Sequence, residues 1–254
     1  MNKHVIKEYL AHFIYKSLAS FPVKAEYEDR RITEQLNERG HFLIPDFLPH
    51  SECDKLVEEF SKIVANSDIA DVWKDQLGAD TRLFFAERYS DLFRAVLGND
   101  YLQRMKRLYM GPNVFKKNDC LMVNHIVAIK DNLGSGGGWH RDSPYSKQFK
   151  AIIYLSEVEA ENGPFQYVEK THRLASCIDL YKKKYTTEGQ NRLTEKEVDE
   201  ILAYLGSEKL QTFTASKGSC ILVNTKGIHR GKPITKKERY ALTFYFDSAE
   251  TLAA

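Results

Sequence analysis

Near residue 120 the hydrophobic period of this chain changes from helical to alternating. From Cys120 onward short β-prone runs follow one another over 121–129, 151–155, 165–168, 219–223 and 240–246. Strands this short, closely spaced and each burying one face, are the pattern of a β-sandwich or jelly roll. One helix interrupts them. Thr194-Glu195-Lys196-Glu197 is a capping box, and Val198, Ile201, Leu202 and Leu205 follow on one face up to Gly206. The helix reads as part of an insertion over about 181–210. Insertions of that length in compact domains are often lids or binding loops; the plainer alternative is a helix packed on the sheet.

Residues 1–110 read as mainly helical. Cys53, Leu56, Val57, Phe60, Ile63 and Val64 recur at three- and four-residue steps behind Pro49 and Ser51, which predicts a helix with one buried face. Gly40 to Pro45 is a short apolar run between breakers, read as a strand leading into a turn. A second helical stretch covers about 90–108, and Val5, Tyr9, Phe13 and Leu18 suit an amphipathic N-terminal helix ending at Ser20-Phe21-Pro22. No repeat, low-complexity tract or Pro/Gly/Ser-rich linker divides the chain. The expectation is one domain over 1–254, mainly β, with helices over 1–110 flanking a jelly-roll core over 119–247.

Composition removes several function classes. Lys and Arg number 37 against 35 Asp and Glu, so neither a basic nucleic-acid clamp nor an acidic tail is present. No run approaches the ~20 apolar residues of a membrane span. Glu8, His12 and Lys16 break up the best candidate for a signal peptide. The four cysteines, Cys53, Cys120, Cys177 and Cys220, form no CxxC pair and no dense framework, which predicts a reducing, cytoplasmic setting.

The chemistry concentrates after a glycine loop. Gly134 to Gly138 deliver Trp139, His140, Arg141 and Asp142 onto the expected start of a strand, where residues two apart point the same way. His140 and Asp142 would then present an imidazole and a carboxylate to one point. Downstream, His229 follows the buried-looking strand 219–223. Two histidines and one carboxylate make a facial triad that leaves three positions of an octahedral Fe(II) open, enough for a bidentate cosubstrate and dioxygen. A closed zinc site would want four ligands. In the last strand Arg239, Ala241, Thr243 and Tyr245 share a face. A guanidinium beside small and hydroxyl-bearing side chains suits bidentate capture of a carboxylate, whereas alone it reads as a surface arginine.

With these residues in view the chain resembles the phytanoyl-CoA dioxygenase-like Fe(II)/2-oxoglutarate oxygenases. The likeness rests on His140-Arg-Asp142, on Asn162-Gly163-Pro164-Phe165 with Thr171-His172-Arg173, and on His229 followed by Arg239. Its opening is Gly40 to Leu48, followed by Ser51 and Cys53, so it extends over about 33–247. The resemblance implies a double-stranded β-helix core of cupin-like type, Fe(II) held by His140, Asp142 and His229, and 2-oxoglutarate whose distal carboxylate pairs with Arg239. Asn124 and Thr243 are further candidates to contact 2-oxoglutarate. The implied reaction is O2-dependent hydroxylation of a small molecule, with decarboxylation of 2-oxoglutarate to succinate and CO2. Asp142 stands where related halogenating enzymes carry a small residue, so hydroxylation or desaturation is expected rather than halogenation.

Two positions depart from the family pattern. Asn224 sits where an acidic residue is common, and Gly231 offers no hydroxyl after the distal histidine. Lys130, Arg141, Lys147, Arg173, Arg230 and Lys232 lie near the motif and suggest an anionic substrate, although loop cations are ordinarily solvated. His172 is a candidate brace for the site, while His4, His12, His41 and His50 show no convergent partner. Neither a P-loop nor a dinucleotide fingerprint is present. Two rival classes stay open: a cupin-like metal enzyme that does not use 2-oxoglutarate, and a catalytically silent binding protein of the same fold.

Overall fold

The computed structural model describes residues 26–246 except 67, 112–118 and 145. Its first half contains helices Tyr27–Glu38 (α1), His50–Val64 (α2), Asp91–Leu97 (α3) and Asp100–Met110 (α4), with strands His41–Ile44 (β1), Val72–Lys74 (β2) and Asp80–Phe84 (β3) between them. Strands Cys120–Val127 (β4), Phe149–Tyr154 (β5) and Phe165–Val168 (β6) follow. Helices Leu174–Lys182 (α5) and Glu195–Leu205 (α6) precede strands Leu210–Phe213 (β7), Cys220–Asn224 (β8), His229–Gly231 (β9) and Glu238–Tyr245 (β10).

The strands form two antiparallel sheets, ordered β1-β8-β5-β10-β4-β3-β2 and β7-β6-β9. Alternation along each strand of the large sheet decides what lies on either side. Leu121, Val123, Phe149, Ala151, Ile153, Leu242 and Phe244 face the helices, where they pack with Leu36, Leu56, Phe60, Phe93, Leu102 and Met105. Truncating one such side chain costs about 2–5 kcal/mol. The opposite face carries Tyr154, Ile221, Val223 and Ala241, which meet Phe165, Tyr167 and Phe213 of the small sheet. The Tyr154 hydroxyl accepts from the Phe165 N–H and donates to the Phe213 carbonyl, both at 2.9 Å, and so pins the two sheets together. This is the mainly β, jelly-roll architecture with flanking helices that the strand pattern predicts.

The boundaries differ in instructive places. The helix expected over 90–108 is two helices, because Gly98 ends α3 and the Asn99 side chain caps α4 by accepting from the Leu102 N–H. The first half is less purely helical than its periodicity suggests, since β1, β2 and β3 all belong to the large sheet. The helical excursion begins before 181, with α5 at Leu174. Thr194 and Glu197 do form the capping box of α6. The amphipathic segment expected near the N-terminus lies outside the described residues.

Candidate metal centre and its cavity

His140 is positioned by backbone pairing on both sides, although it does not start a regular strand as expected. It makes single-residue bridges to His229 and to Arg192, and Asp142 lies in a bend. The His140 and His229 peptides exchange N–H···O bonds of 2.9 Å, Leu193 N–H bonds to the Trp139 carbonyl at 3.0 Å, and Asp142 N–H bonds to the Thr225 carbonyl at 3.0 Å. The ladder therefore does the work that a strand was expected to do. The glycine loop is needed for a steric reason: a Cβ on Gly136, whose φ is +87°, would lie 2.3 Å from His140 Cε1.

Each imidazole is oriented by a carbonyl two residues upstream. Nδ1 of His140 lies 2.9 Å from the Gly138 carbonyl, and Nδ1 of His229 lies 2.9 Å from that of Gly227. Carbonyls only accept, so both Nδ1 atoms carry the proton and both Nε2 atoms offer a lone pair. The Nε2 atoms stand 3.8 and 4.0 Å from Asp142 Oδ1. One ligand atom from each of the three residues falls within 4.8 Å of the others. Burial, and then His229, push the His140 pKa down to about 3; burial also lowers that of His229. Burial alone would raise the Asp142 pKa, but Lys150 and the two histidines outweigh it and hold the carboxyl well below its usual range. Two neutral imidazoles and one carboxylate converging in this way suit a borderline divalent metal with open positions.

The triad opens into a cavity of about 490 Å³ between the sheets. Arg239, Ala241, Thr243 and Tyr245 all line it, as the alternation of β10 requires. Arg239 is buried; its Nη1 donates to the Gly163 carbonyl and its Nε has no partner. A buried guanidinium N–H without a partner is costly, and at the cavity wall it leaves a donor for a further acceptor, which a carboxylate would suit. Asn124 also lines the cavity, with its amide 3.4 Å from Ser135 Oγ. Asn224 does not. It is a structural residue whose side chain accepts from the Lys226 N–H and donates to Tyr109 Oη.

Several residues at the site were not singled out in the sequence analysis. Lys150 projects from β5, its Nζ 2.6 Å from Asp142 Oδ2 and 4.0 Å from the centre of the Tyr245 ring. Arg82 and Trp73 reach the cavity from β3 and β2, with Arg82 held by Asp80 at 2.5 Å and its guanidinium 4.9 Å from the Trp73 ring. Arg192 comes from the insertion and bonds to the Gly136 carbonyl. By contrast, none of Lys130, Arg141, Lys147, Arg173, Arg230 and Lys232 lines the cavity. A charged residue at an inward strand position was the usable signal, as in Phe-Lys-Ala-Ile-Ile-Tyr of β5. His172 is buried and bonds through Nε2 to the Asn37 carbonyl rather than to any of the three triad residues. His41, expected to lack a partner, is 3.0 Å from Glu169.

A family model described as phytanoyl-CoA dioxygenase (PhyH) matches residues 36–241. The chain belongs to the phytanoyl-CoA dioxygenase family. No curated protein matches it significantly. Among solved structures, the family fold recurs in the epimerase SnoN from nogalamycin biosynthesis, in complex with Fe3+, alpha ketoglutarate and nogalamycin RO. The identity is 15%, the TM-score 0.61, and the match covers 86% of this chain and 83% of that one. HygX from Streptomyces hygroscopicus, with nickel, 2-oxoglutarate and hygromycin B bound, is 16% identical, with a TM-score of 0.56 and 85% of each chain covered. The carbocyclase SnoK, also from nogalamycin biosynthesis, is 15% identical, with a TM-score of 0.58, covering 89% of this chain and 86% of that one.

Proposed function

We propose that this family member is a non-haem Fe(II)/2-oxoglutarate-dependent oxygenase that hydroxylates a small molecule, with His140, Asp142 and His229 as the metal ligands. The observation that carries the reading is the convergence, on one cavity, of the three-donor set and the buried Arg239 with its unpartnered Nε. Fe(II) with 2-oxoglutarate, once bound, supplies O2-driven oxidation coupled to release of succinate and CO2. The protein supplies positioning and exclusion of competing reactions. Arg239, buried in the cavity wall, takes the distal carboxylate of 2-oxoglutarate. Thr243 and Asn124 line the wall beside it and are our candidates for secondary contacts. Trp139, buried against α6, and Arg192, which lines the cavity, are our candidates for keeping water from the reacting atoms.

Asp142 would supply a carboxylate ligand where a halide would otherwise need to bind, which argues against halogenation and leaves hydroxylation as our reading. SnoN and SnoK are described as an epimerase and a carbocyclase. Mass spectrometry of the product distinguishes these outcomes: a gain of one oxygen for hydroxylation, a loss of two hydrogens for ring closure, and unchanged mass for epimerisation. The substrate is read as an anion on Arg192 and Arg82, the cavity cations not assigned above to Asp142 or 2-oxoglutarate, with Arg82 sharing its charge with Asp80. A Michaelis constant that rises steeply with salt supports this; indifference to salt overturns it. Four unpaired thiols suit a reducing compartment, and we assign the protein to the cytoplasm as one domain.

The deciding experiment is an anaerobic titration of metal-free protein with Fe(II), then 2-oxoglutarate, followed in the visible range. A charge-transfer band that His140→Ala abolishes, with succinate released on admission of O2, upholds the reading. Iron binding with no band and no succinate favours the cupin-like alternative, and absence of O2 consumption favours a silent binding protein.

A further inference from the structure

All three proposed ligands have an outer partner, but the partners differ in charge. For His140 and His229 the partner is a neutral backbone carbonyl. For Asp142 it is an ammonium, Lys150 Nζ, 2.6 Å from Oδ2, while Oδ1 is the oxygen that faces the two imidazoles. A hydroxyl or amide would have oriented the carboxylate equally well. The lysine instead brings the ligand set from one negative charge to zero.

Lys150 cannot retreat from that position. Its side chain keeps only 10% of its exposure. Its backbone is fixed between Val223 of β8 and Tyr245 of β10. Its Nζ rests 4.0 Å from the Tyr245 ring, a face that favours a cation. The side chain is therefore held beside Asp142 by the sheet, by its burial and by the Tyr245 ring.

We propose that Lys150 sets the charge of the metal centre, weakening its hold on the divalent ion and strengthening its hold on the anionic cosubstrate. This rests on the ligand and 2-oxoglutarate assignments made above. A fixed positive charge inside the cavity repels an incoming cation, and by the same Coulomb term it attracts a dianion. Lys150 is thus a positioning residue that acts through Asp142, and its removal shifts two affinities in opposite directions.

The test uses full-length protein without turnover. Mn(II) affinity is read from the electron paramagnetic resonance of free Mn(II), and 2-oxoglutarate affinity for the Mn(II)-loaded protein by calorimetry, for wild type, Lys150→Gln, Lys150→Met and Lys150→Arg. Gln keeps a hydrogen-bond donor to Asp142 without the charge, so it remains informative if Met fails to fold. Expected for Gln and Met is Mn(II) binding tighter on the order of tenfold and 2-oxoglutarate binding weaker by a similar factor, with Arg near wild type. Weakening of both affinities in Gln as well as Met would mean that Lys150 only orients Asp142 and would overturn the proposal. A lowered Tm with both affinities unchanged would reduce Lys150 to a packing role and also overturn it. Wild type that binds neither Mn(II) nor 2-oxoglutarate would overturn the oxygenase reading, and this inference with it. Wild type that binds both while the variants show no opposite shift would overturn this inference alone.

Discussion

The indole of Trp139 donates to Glu195 at 3.1 Å, joining the residue before His140 to the first residue of α6. Arg230, the residue after His229, pairs with the other oxygen of the same carboxylate and stacks 4.2 Å from the Trp139 ring. The insertion is thereby latched to both histidine-bearing segments. Glu195→Ala is expected to cost about 1–2 kcal/mol of stability in urea unfolding and to speed amide exchange over 192–205. Metal affinity should stay within about threefold, because Glu195 touches none of the ligand side chains.

Arg239 carries the cosubstrate half of the proposed function. Replacing it with Met removes a charge-assisted pair worth about 2–3 kcal/mol, so 2-oxoglutarate should bind roughly 30- to 150-fold more weakly while metal affinity is retained. Lys at this position should recover part of the loss, since it supplies the charge but not the planar fork. Calorimetry on the metal-loaded protein measures both effects.

Gly136 tests the steric account of the loop. Ala at this position would set a methyl 2.3 Å from His140 Cε1 and force a residue with a side chain into a φ of +87°. The backbone term costs about 1–2 kcal/mol, and displacement of the imidazole should weaken metal binding by more than about tenfold. Gly138→Ala meets nothing within 4 Å, although its φ is +88°, so it should show the backbone cost without the loss of metal.

His172 gives a pH signature independent of the metal centre. Burial lowers its pKa to about 4, whereas in the unfolded chain it titrates near its ordinary value of 6.5. The unfolded state thus binds the extra proton first as pH falls, so the contribution of His172 is complete above 6.5 and is lost on acidification toward 4. Between pH 7 and pH 5 that loss is about 2 kcal/mol. Urea unfolding of His172→Gln should show a flatter decline over this interval than wild type; an equal decline would contradict the burial account.

The chemistry-bearing residues were legible because their spacing is local. His140 and Asp142 lie two residues apart, and the alternation of β10 alone puts Arg239 and Thr243 on the wall opposite Leu242 and Phe244. Periodicity also located β4, β5, β6, β8 and α6. It missed β2 and β3, which are short, partly polar strands that exist because β4 offers an edge, with Arg82 opposite Asn124 in the register. It misjudged the cations for a related reason. Loop lysines and arginines near a motif in sequence point elsewhere, while Lys150, Arg82 and Arg192 arrive from separate elements that only the sheet order brings together.

The carbonyls that aim the two imidazoles belong to Gly138 and Gly227, each two residues before its histidine. Ring orientation is therefore written into two short stretches of main chain and requires no side chain elsewhere in the barrel. Wall side chains that touch neither ring nor the glycine loop can therefore be exchanged without removing the contact that aims either imidazole. A scaffold of this kind can change what it binds by altering its lining, and cavity variants of this protein are the natural starting point for redirecting it to new substrates.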